Sequence, residues 1–177
     1  MADTIRTKAA CLALLPDNTA GDISPQDLRD TVVSLFGVYG CLYTKDGSTA
    51  QTGVGTTPAK FTGFASDGAA NGTTVSNAND KITISSGSDG TFLVFFHCSF
   101  SGTANTKFTF ALRKNGAEGN FLYERKLGAT GDVGDAVLFG PVESVVATDY
   151  FEIYVEADGA SKSITPAQST FMVLRIS

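Results

Sequence analysis

The chain has 177 residues, of which 42% are hydrophobic and 18% charged, and its formal net charge is −5 at pH 7. This composition excludes a disordered chain and favours one domain that buries a sizeable core. It contains no run of Lys or Arg and no apolar run near the roughly 20 residues that span a bilayer, so we expect no nucleic-acid or membrane partner.

The first predicted element, residues 4–21, is an extended or irregular arm. It has an apolar middle but no helix cap, and it ends in the turn-prone sequence Pro16-Asp17-Asn18. Because no small-x-small cleavage site follows the apolar run, we do not expect a secretion signal. The leucines of the arm need a surface that buries them. The candidate docking residues are Arg6, Lys8, Leu12, Leu14 and Leu15.

A short amphipathic helix is predicted over residues 25–36. Ser24 supplies an N-cap hydroxyl, Pro25 suits the first helical position, and Asp27 places a carboxylate in the first turn. Apolar residues then recur at helical spacing up to Gly37: Leu28, Val32, Leu35 and Phe36. Residues 1–38 are therefore predicted to be a leader, and residues 39–177 a separate β domain.

From residue 39 onward the pattern is that of an antiparallel, all-β body. Stretches with period-two alternation are separated by pairs that tolerate the positive φ of tight turns. These pairs are Asp46-Gly47, Asp67-Gly68, Asn71-Gly72, Asp89-Gly90, Asn115-Gly116 and Asp158-Gly159. A β-sandwich of about 8–10 strands is predicted. Its strands are residues 39–44, 59–64, 73–76, 80–85, 90–101, 105–114, 120–127, 135–146, 149–157 and 169–176.

The alternation assigns one face of each strand to the core. The predicted core residues of two strands are Phe108, Phe110, Leu112, Phe151, Ile153 and Val155. The strand over residues 90–101 differs because both of its faces are apolar. Its second face, with Leu93, Phe95 and His97, needs a cover, which is a partner subunit, the N-terminal helix or a loop of the same chain.

Tyr150 and Tyr154 lie on the outward, Glu-bearing face of their strand, where aromatic side chains contribute little to a monomer. We therefore interpret them as further contacts between subunits. The candidate interface residues are Leu93, Phe95, His97, Tyr150 and Tyr154.

The sequence offers little catalytic chemistry. His97 is the single histidine, and neither a Cys-x-x-Cys pair nor a Gly-x-Ser-x-Gly elbow occurs. We expect no enzymatic activity and no cofactor, and a structural or interface role for His97. The three cysteines, Cys11, Cys41 and Cys98, are odd in number and widely spaced, so free thiols are predicted.

The carboxylates also give no indication of a catalytic site. Glu152 and Glu156 share a strand face at a separation of about 13 Å, beyond the ~5–9.5 Å used in glycoside hydrolysis. They are predicted to form a solvated face or to pair with Lys or Arg. Asp132 and Asp135 lie in a Gly-rich segment that could hold calcium, although the EF-hand spacing is absent and a plain loop is favoured.

The body resembles the trimeric jelly roll shared by tumour necrosis factor-like and complement-type globular domains. The resemblance spans about residues 39–177 and implies a jelly-roll β-sandwich that assembles as a homotrimer. It rests on the order of five segments, GTFLVFF (90–96), FTFALRKNG (108–116), GDAVL (134–138), FEIYV (151–155) and STFMVL (169–174).

A second resemblance concerns the leader. Asp17-Asn18 followed by ISPQDLRD (23–30) is similar to the short leader that tailed-bacteriophage virion proteins place before a C-terminal β domain. The two resemblances together imply a phage structural protein. The roles found in that family are capsid decoration (cement) protein, head fibre and tail-tip receptor binder.

The absence of a heptad, collagen-like or β-helix shaft favours the decoration role. The predicted function is that of a homotrimer on the capsid surface of a virion, made in the host cytoplasm, which binds and stabilises the shell of major capsid protein. The alternative is a receptor- or glycan-binding module of a head fibre or tail tip.

Overall fold

The computed structural model describes residues 37–176, which form twelve β-strands and one 3₁₀ turn at Asn77–Asn79. The strands are β1 (Tyr39–Thr44), β2 (Gln51–Val54), β3 (Ala59–Lys60), β4 (Ser66–Asn71), β5 (Thr73–Ser76), β6 (Lys81–Ile84), β7 (Gly90–Gly102), β8 (Lys107–Lys114), β9 (Ala117–Lys126), β10 (Val133–Val145), β11 (Tyr150–Ala157) and β12 (Lys162–Arg175). Within residues 37–176, no helix is long and apolar enough to cross a membrane.

The strands form two six-stranded sheets that pack face to face. The first sheet has the order β10-β7-β12-β1-β4, and β2 pairs with β12. The second sheet has the order β5-β6-β11-β8-β9, and β3 pairs with β11. The pairings are antiparallel, and both sheets join strands that are distant in sequence, as in a jelly roll. The predicted antiparallel jelly-roll sandwich is confirmed.

The core lies between the inward faces of the two sheets, as the alternation predicts. The rings of Phe96 and Phe110 are 5.7 Å apart, and those of Phe100 and Phe108 are also 5.7 Å apart, so aromatic side chains join the layers. Burying one such phenylalanine side chain stabilises the fold by about 1.5–3 kcal/mol. Further core side chains that are no more than 2% exposed are Phe92, Val94, Cys98, Leu112, Phe151, Ile153 and Val155.

Two strands, β2 and β4, are not predicted by the sequence pattern, and the predicted turn at Asp67-Gly68 is wrong because this pair lies inside β4. The sequence of β4, SDGAAN, has no apolar alternation. The strand lies at the sheet edge, pairs only with β1 and buries neither face fully, so it does not require alternating apolar residues. Gly68 meets a bulge in β1, where an added Cβ would come within 2.8 Å of the Cys41 carbonyl oxygen.

The predicted strand over residues 59–64 is shorter in the structure, where β3 ends at Lys60. Phe61 and Phe64 enter the core instead, with their rings 5.3 Å apart in an edge-to-face contact. The predicted reversal at Asn115-Gly116 is confirmed, because both residues have positive φ, 54° and 75°.

The described chain begins and ends at the same end of the sandwich. Val38 is fully buried, and its carbonyl accepts a hydrogen bond from the Arg175 N–H at 2.8 Å. The Ile176 N–H donates to the Thr91 carbonyl at 2.8 Å. The predicted arm and the predicted helix over 25–36 lie outside the described residues. So do the candidate docking residues Arg6, Lys8, Leu12, Leu14 and Leu15.

Candidate functional site

The outer face of the first sheet is apolar across four neighbouring strands. Side chains alternate along a strand, so the residues of β7 between the core positions point outward, among them Leu93 and Phe95. The register places Phe95 between Phe139 of β10 and Met172 of β12. Phe139 is 61% exposed and Met172 39% exposed, so large apolar side chains meet solvent here.

Three cross-strand rows make up this surface, which we call the apolar face. The end row consists of Tyr39, Leu174, Leu93 and Pro141. The middle row consists of Cys41, Met172, Phe95 and Phe139. The third row consists of Tyr43, Thr170, His97 and Val137. A contiguous apolar patch of this kind marks an interaction surface rather than scattered surface residues.

The apolar face ends at a polar border. Beyond the third row, Ser99 pairs with Asp135 on one side and Gln168 on the other. The Nε2 atom of His97 is 3.9 Å from Oδ1 of Asp135, which is too long for a hydrogen bond. His97 is therefore a partly exposed histidine at the boundary between the apolar face and this border.

The structure separates Tyr150 and Tyr154 from Leu93, Phe95 and His97. The tyrosines belong to β11 of the second sheet, so they lie on the opposite side of the sandwich from the apolar face. The Arg113 guanidinium lies 4.2 Å from the Tyr154 ring centre, and the Lys81 ammonium lies 5.1 Å from that of Tyr150. Both rings thus already have a cation within their own chain.

Two carboxylates and one lysine lie together at the second sheet. The Lys60 ammonium is 2.5 Å from Oε1 of Glu152, which is 4% exposed, and it donates to the Asn79 carbonyl at 3.1 Å. Glu152 is therefore paired with a lysine, one of the two outcomes predicted for it. Asp80 is buried nearby, and its Oδ1 atom has no hydrogen-bond partner among the described residues.

The ionisation of this cluster reflects its burial. Desolvation raises the pKa of Asp80 to about 6, although the Phe64 N–H and the Lys60 charge oppose the shift. Burial disfavours the charged form of Lys60, but the hydrogen bond and charge of Glu152 outweigh it and raise the lysine pKa. Sequence reasoning missed Asp80, because its partners come from strands 20 and 72 residues away in the chain.

A groove of about 390 Å³ lies beside β9 and β10, and it borders the apolar face at Pro141. Its lining combines apolar Leu112 and Phe121 with charged Lys114 and Glu118.

Among residues 37–176, no group of three His, Cys, Asp or Glu side chains could hold a metal ion. In the Gly-rich segment, the Asp132 carboxylate accepts hydrogen bonds from the backbone of Gly128 and Val133.

Two of the three cysteines lie in the described part of the chain, and both Cys41 and Cys98 are free thiols, as predicted. Cys98 is buried in the core, and this burial raises its pKa to about 12. A thiol in that state is a poor nucleophile. Cys98 is therefore a packing residue.

No protein-family model matches the sequence, and no curated protein matches it. Solved structures do match its fold. Murine APRIL superposes with a TM-score of 0.51 at 12% identity, covering 78% of this chain and 99% of that chain. Eiger TNF from S. frugiperda gives 0.50 at 13% identity, covering 80% and 93%. The PRD1 vertex protein P5 gives 0.49 at 13% identity, covering 79% and 97%.

At these identities the similarity concerns the fold alone. The described chain has the two-sheet, antiparallel jelly-roll architecture of its TNF-like structural neighbours.

Proposed function

We propose that this chain forms a homotrimer that decorates the capsid of a tailed bacteriophage and stabilises the shell of major capsid protein. The observation that carries the proposal is the apolar face, on which Val137 and Phe139 of β10 and Met172 of β12 are exposed on either side of β7. When a second protein surface removes exposed apolar side chains in this arrangement from water, the free energy of the assembly falls.

A second copy of the chain is the partner that the fold resemblance implies. In a closed three-fold assembly, each contact joins two different surfaces, so the apolar face of one copy meets another surface of the next copy. Phe139 and Pro141 stand on β10, an edge strand of the first sheet, beside the groove at β9. In this position, Phe139 and Pro141 of one copy can contact a sheet of the neighbouring copy.

The virion location is supported by the leader rather than by the body. Residues 17–30 resemble the leaders of tailed-phage virion proteins, and the predicted arm over residues 4–21 carries leucines that need a surface to bury them. An arm of this kind gains stability by docking on another surface. We assign that surface to the major capsid protein, with Arg6, Lys8, Leu12, Leu14 and Leu15 as the contacting residues.

The assembly state is tested by light scattering on the full chain, which should give three times the chain mass of 18.4 kDa. The variant Phe139→Glu should lower this mass because it places a charge on the apolar face. The matched control is Leu122→Glu, since Leu122 is 55% exposed on β9 of the second sheet. A wild-type chain that stays monomeric at micromolar concentration would contradict the trimer, and equal effects of the two variants would contradict the apolar face as its contact surface.

The location is tested on intact particles. Antibody labelling of the virion, viewed by electron microscopy, should mark the head surface, and purified protein should bind heads that lack it. Labelling of the tail tip or of a head fibre would overturn the decoration role and favour the receptor- or glycan-binding module.

A further inference from the structure

We propose that the helix predicted over residues 25–36 packs across the end row of the apolar face in its own chain. The end row, Tyr39, Leu174, Leu93 and Pro141, would then be covered by the leader, while the middle and third rows stay open for another copy. This packing concerns one chain, so it does not depend on the trimer.

Chain connectivity places the end of the predicted helix at the end row. Phe36 directly precedes Gly37, so their Cα atoms are about 3.8 Å apart. A Cβ added to Gly37 would lie 3.6 Å from Cδ1 of Leu174, which belongs to the row. The Gly37 carbonyl is held by the Asn71 side-chain amide at 2.9 Å, which fixes where the leader departs from the sandwich.

The conformation of Gly37 agrees with a helix that ends at Phe36. Gly37 has a φ of +94°, and a positive-φ glycine is the residue that most often follows the last helical position. A buried apolar residue commonly comes next, and here it is the fully buried Val38. This φ lies outside the β region, so Gly37 itself does not extend the strand conformation of β1.

The dimensions of the helix and the end row match. A helix of twelve residues is about 18 Å long. The row crosses four strands, and three strand spacings of about 4.8 Å make about 14 Å. The apolar residues of the helix share one side, as packing on a sheet requires: Leu28, Val32, Leu35 and Phe36.

The row itself lacks a cover in the described part of the chain. Tyr39 and Leu174 are each 36% exposed, and Pro141 is also exposed. Its residues are apolar or aromatic, so the matching partner is an apolar helix side rather than a charged one. The polar side of the helix, with Asp30 and Ser34, would remain in water.

The test uses single tryptophan reporters, because the sequence contains no Trp. In the full chain, Val32→Trp lies on the apolar side of the predicted helix and Ser34→Trp on the polar side. We expect the Val32→Trp emission to be shifted to the blue and several-fold less quenched by acrylamide than that of Ser34→Trp. Equal quenching of the two reporters would overturn the proposal.

The docking surface is then tested by second substitutions in the Val32→Trp chain. Leu174→Asp in the end row should restore quenching to the Ser34→Trp level, and Leu93→Ser serves if the first variant does not fold by circular dichroism. Phe139→Glu, outside the row, should leave the reporter protected even where light scattering shows that assembly is lost.

Protection that persists in a folded end-row variant would overturn the proposal, and so would protection lost with Phe139→Glu, which would place the helix between copies. The scattering mass reports the trimer separately. Failure of the proposed trimer therefore leaves the reporter result interpretable.

Discussion

Lys60 faces two buried carboxylates: it is paired at 2.5 Å with Glu152, and its charge partly opposes the rise that burial causes in the pKa of Asp80. The pair links β3 to β11, and the Lys60 hydrogen bond to Asn79 adds the 3₁₀ turn. One lysine cannot neutralise two carboxylates. The cluster therefore makes the stability of the second sheet depend on the protonation of Asp80.

Replacing Asp80 with Asn should stabilise the protein at neutral pH. The pKa of Asp80 is raised by burial from 3.8 to about 6, so the folded state binds its proton more tightly than the unfolded state. The stabilisation that comes from binding this proton in the folded state is fully present below about pH 4 and is lost as the pH rises through about 6. Asp80→Asn removes this loss, a gain of about 1–3 kcal/mol at pH 7.

The measurement is urea unfolding of both proteins from pH 4 to 8, and Asn also tolerates the positive φ of 47° at this position. The charged groups facing Asp80 are Lys60 and Glu152, and both stay in place in the variant. Parallel stability curves for the two proteins across this range would contradict the assignment.

Removing the lysine should have the opposite effect. Lys60→Met leaves Glu152 and Asp80 buried without their cation, and we expect a loss of about 1–3 kcal/mol at pH 7. The matched control is Lys107→Met, since Lys107 pairs with Glu124 at 2.7 Å on an exposed surface. That variant should show no measurable change. Equal losses in the two variants, measured by chemical unfolding, would show that burial does not set the strength of the Lys60 pair.

Truncating Phe110 should be among the most costly core changes. Its ring centre lies 5.2 Å from Phe100, 5.7 Å from Phe96 and 6.0 Å from Phe61. Phe110→Ala should cost about 3–5 kcal/mol of unfolding free energy, whatever the assembly state. Leu122→Ala, on the outer face of the same sheet, is the control and should change stability by less than about 0.5 kcal/mol. A loss below 1 kcal/mol for Phe110→Ala would contradict the core assignment.

His97→Gln should alter assembly without removing a reaction. His97 lies between Val137 and Thr170 in the third row, so its replacement changes the apolar face but leaves the core intact. We expect an unchanged circular dichroism spectrum and a shifted dissociation constant of the oligomer by analytical ultracentrifugation. A hydrolytic activity that is present in the wild type and lost in the folded variant would revive an enzymatic role.

The arm should be required for binding to the head. A full chain with Leu12→Asp and Leu14→Asp should keep its oligomeric mass but lose most of its affinity for undecorated heads, because charges replace the apolar contacts. The control, Thr19→Asp with Ala20→Asp, adds the same charge outside the apolar run. Full affinity of the leucine variant in a cosedimentation assay would place the capsid contact on the β body.

Local pattern was sufficient for the elements whose burial alternates along a single strand. The period of two identifies Phe108, Phe110 and Phe151 as core residues, because neighbouring side chains of a strand face opposite sides wherever the strand lies. Asn115-Gly116 was predictable for the same reason, since its positive φ is a local property. The edge strand β4 has no such signal, because its pairing uses the backbone and buries no full face.

The apolar face depends on the tertiary structure. Sequence shows that Leu93 and Phe95 point away from the core, but not that Phe139 and Met172 lie beside them. Those neighbours come from strands more than forty residues away, and strand order and register bring them together. The same strand order puts Tyr154 on the opposite side of the sandwich and Asp80 beside Lys60. Periodicity thus determines which side of its own strand a residue occupies, whereas long-range pairing decides which residues share a surface.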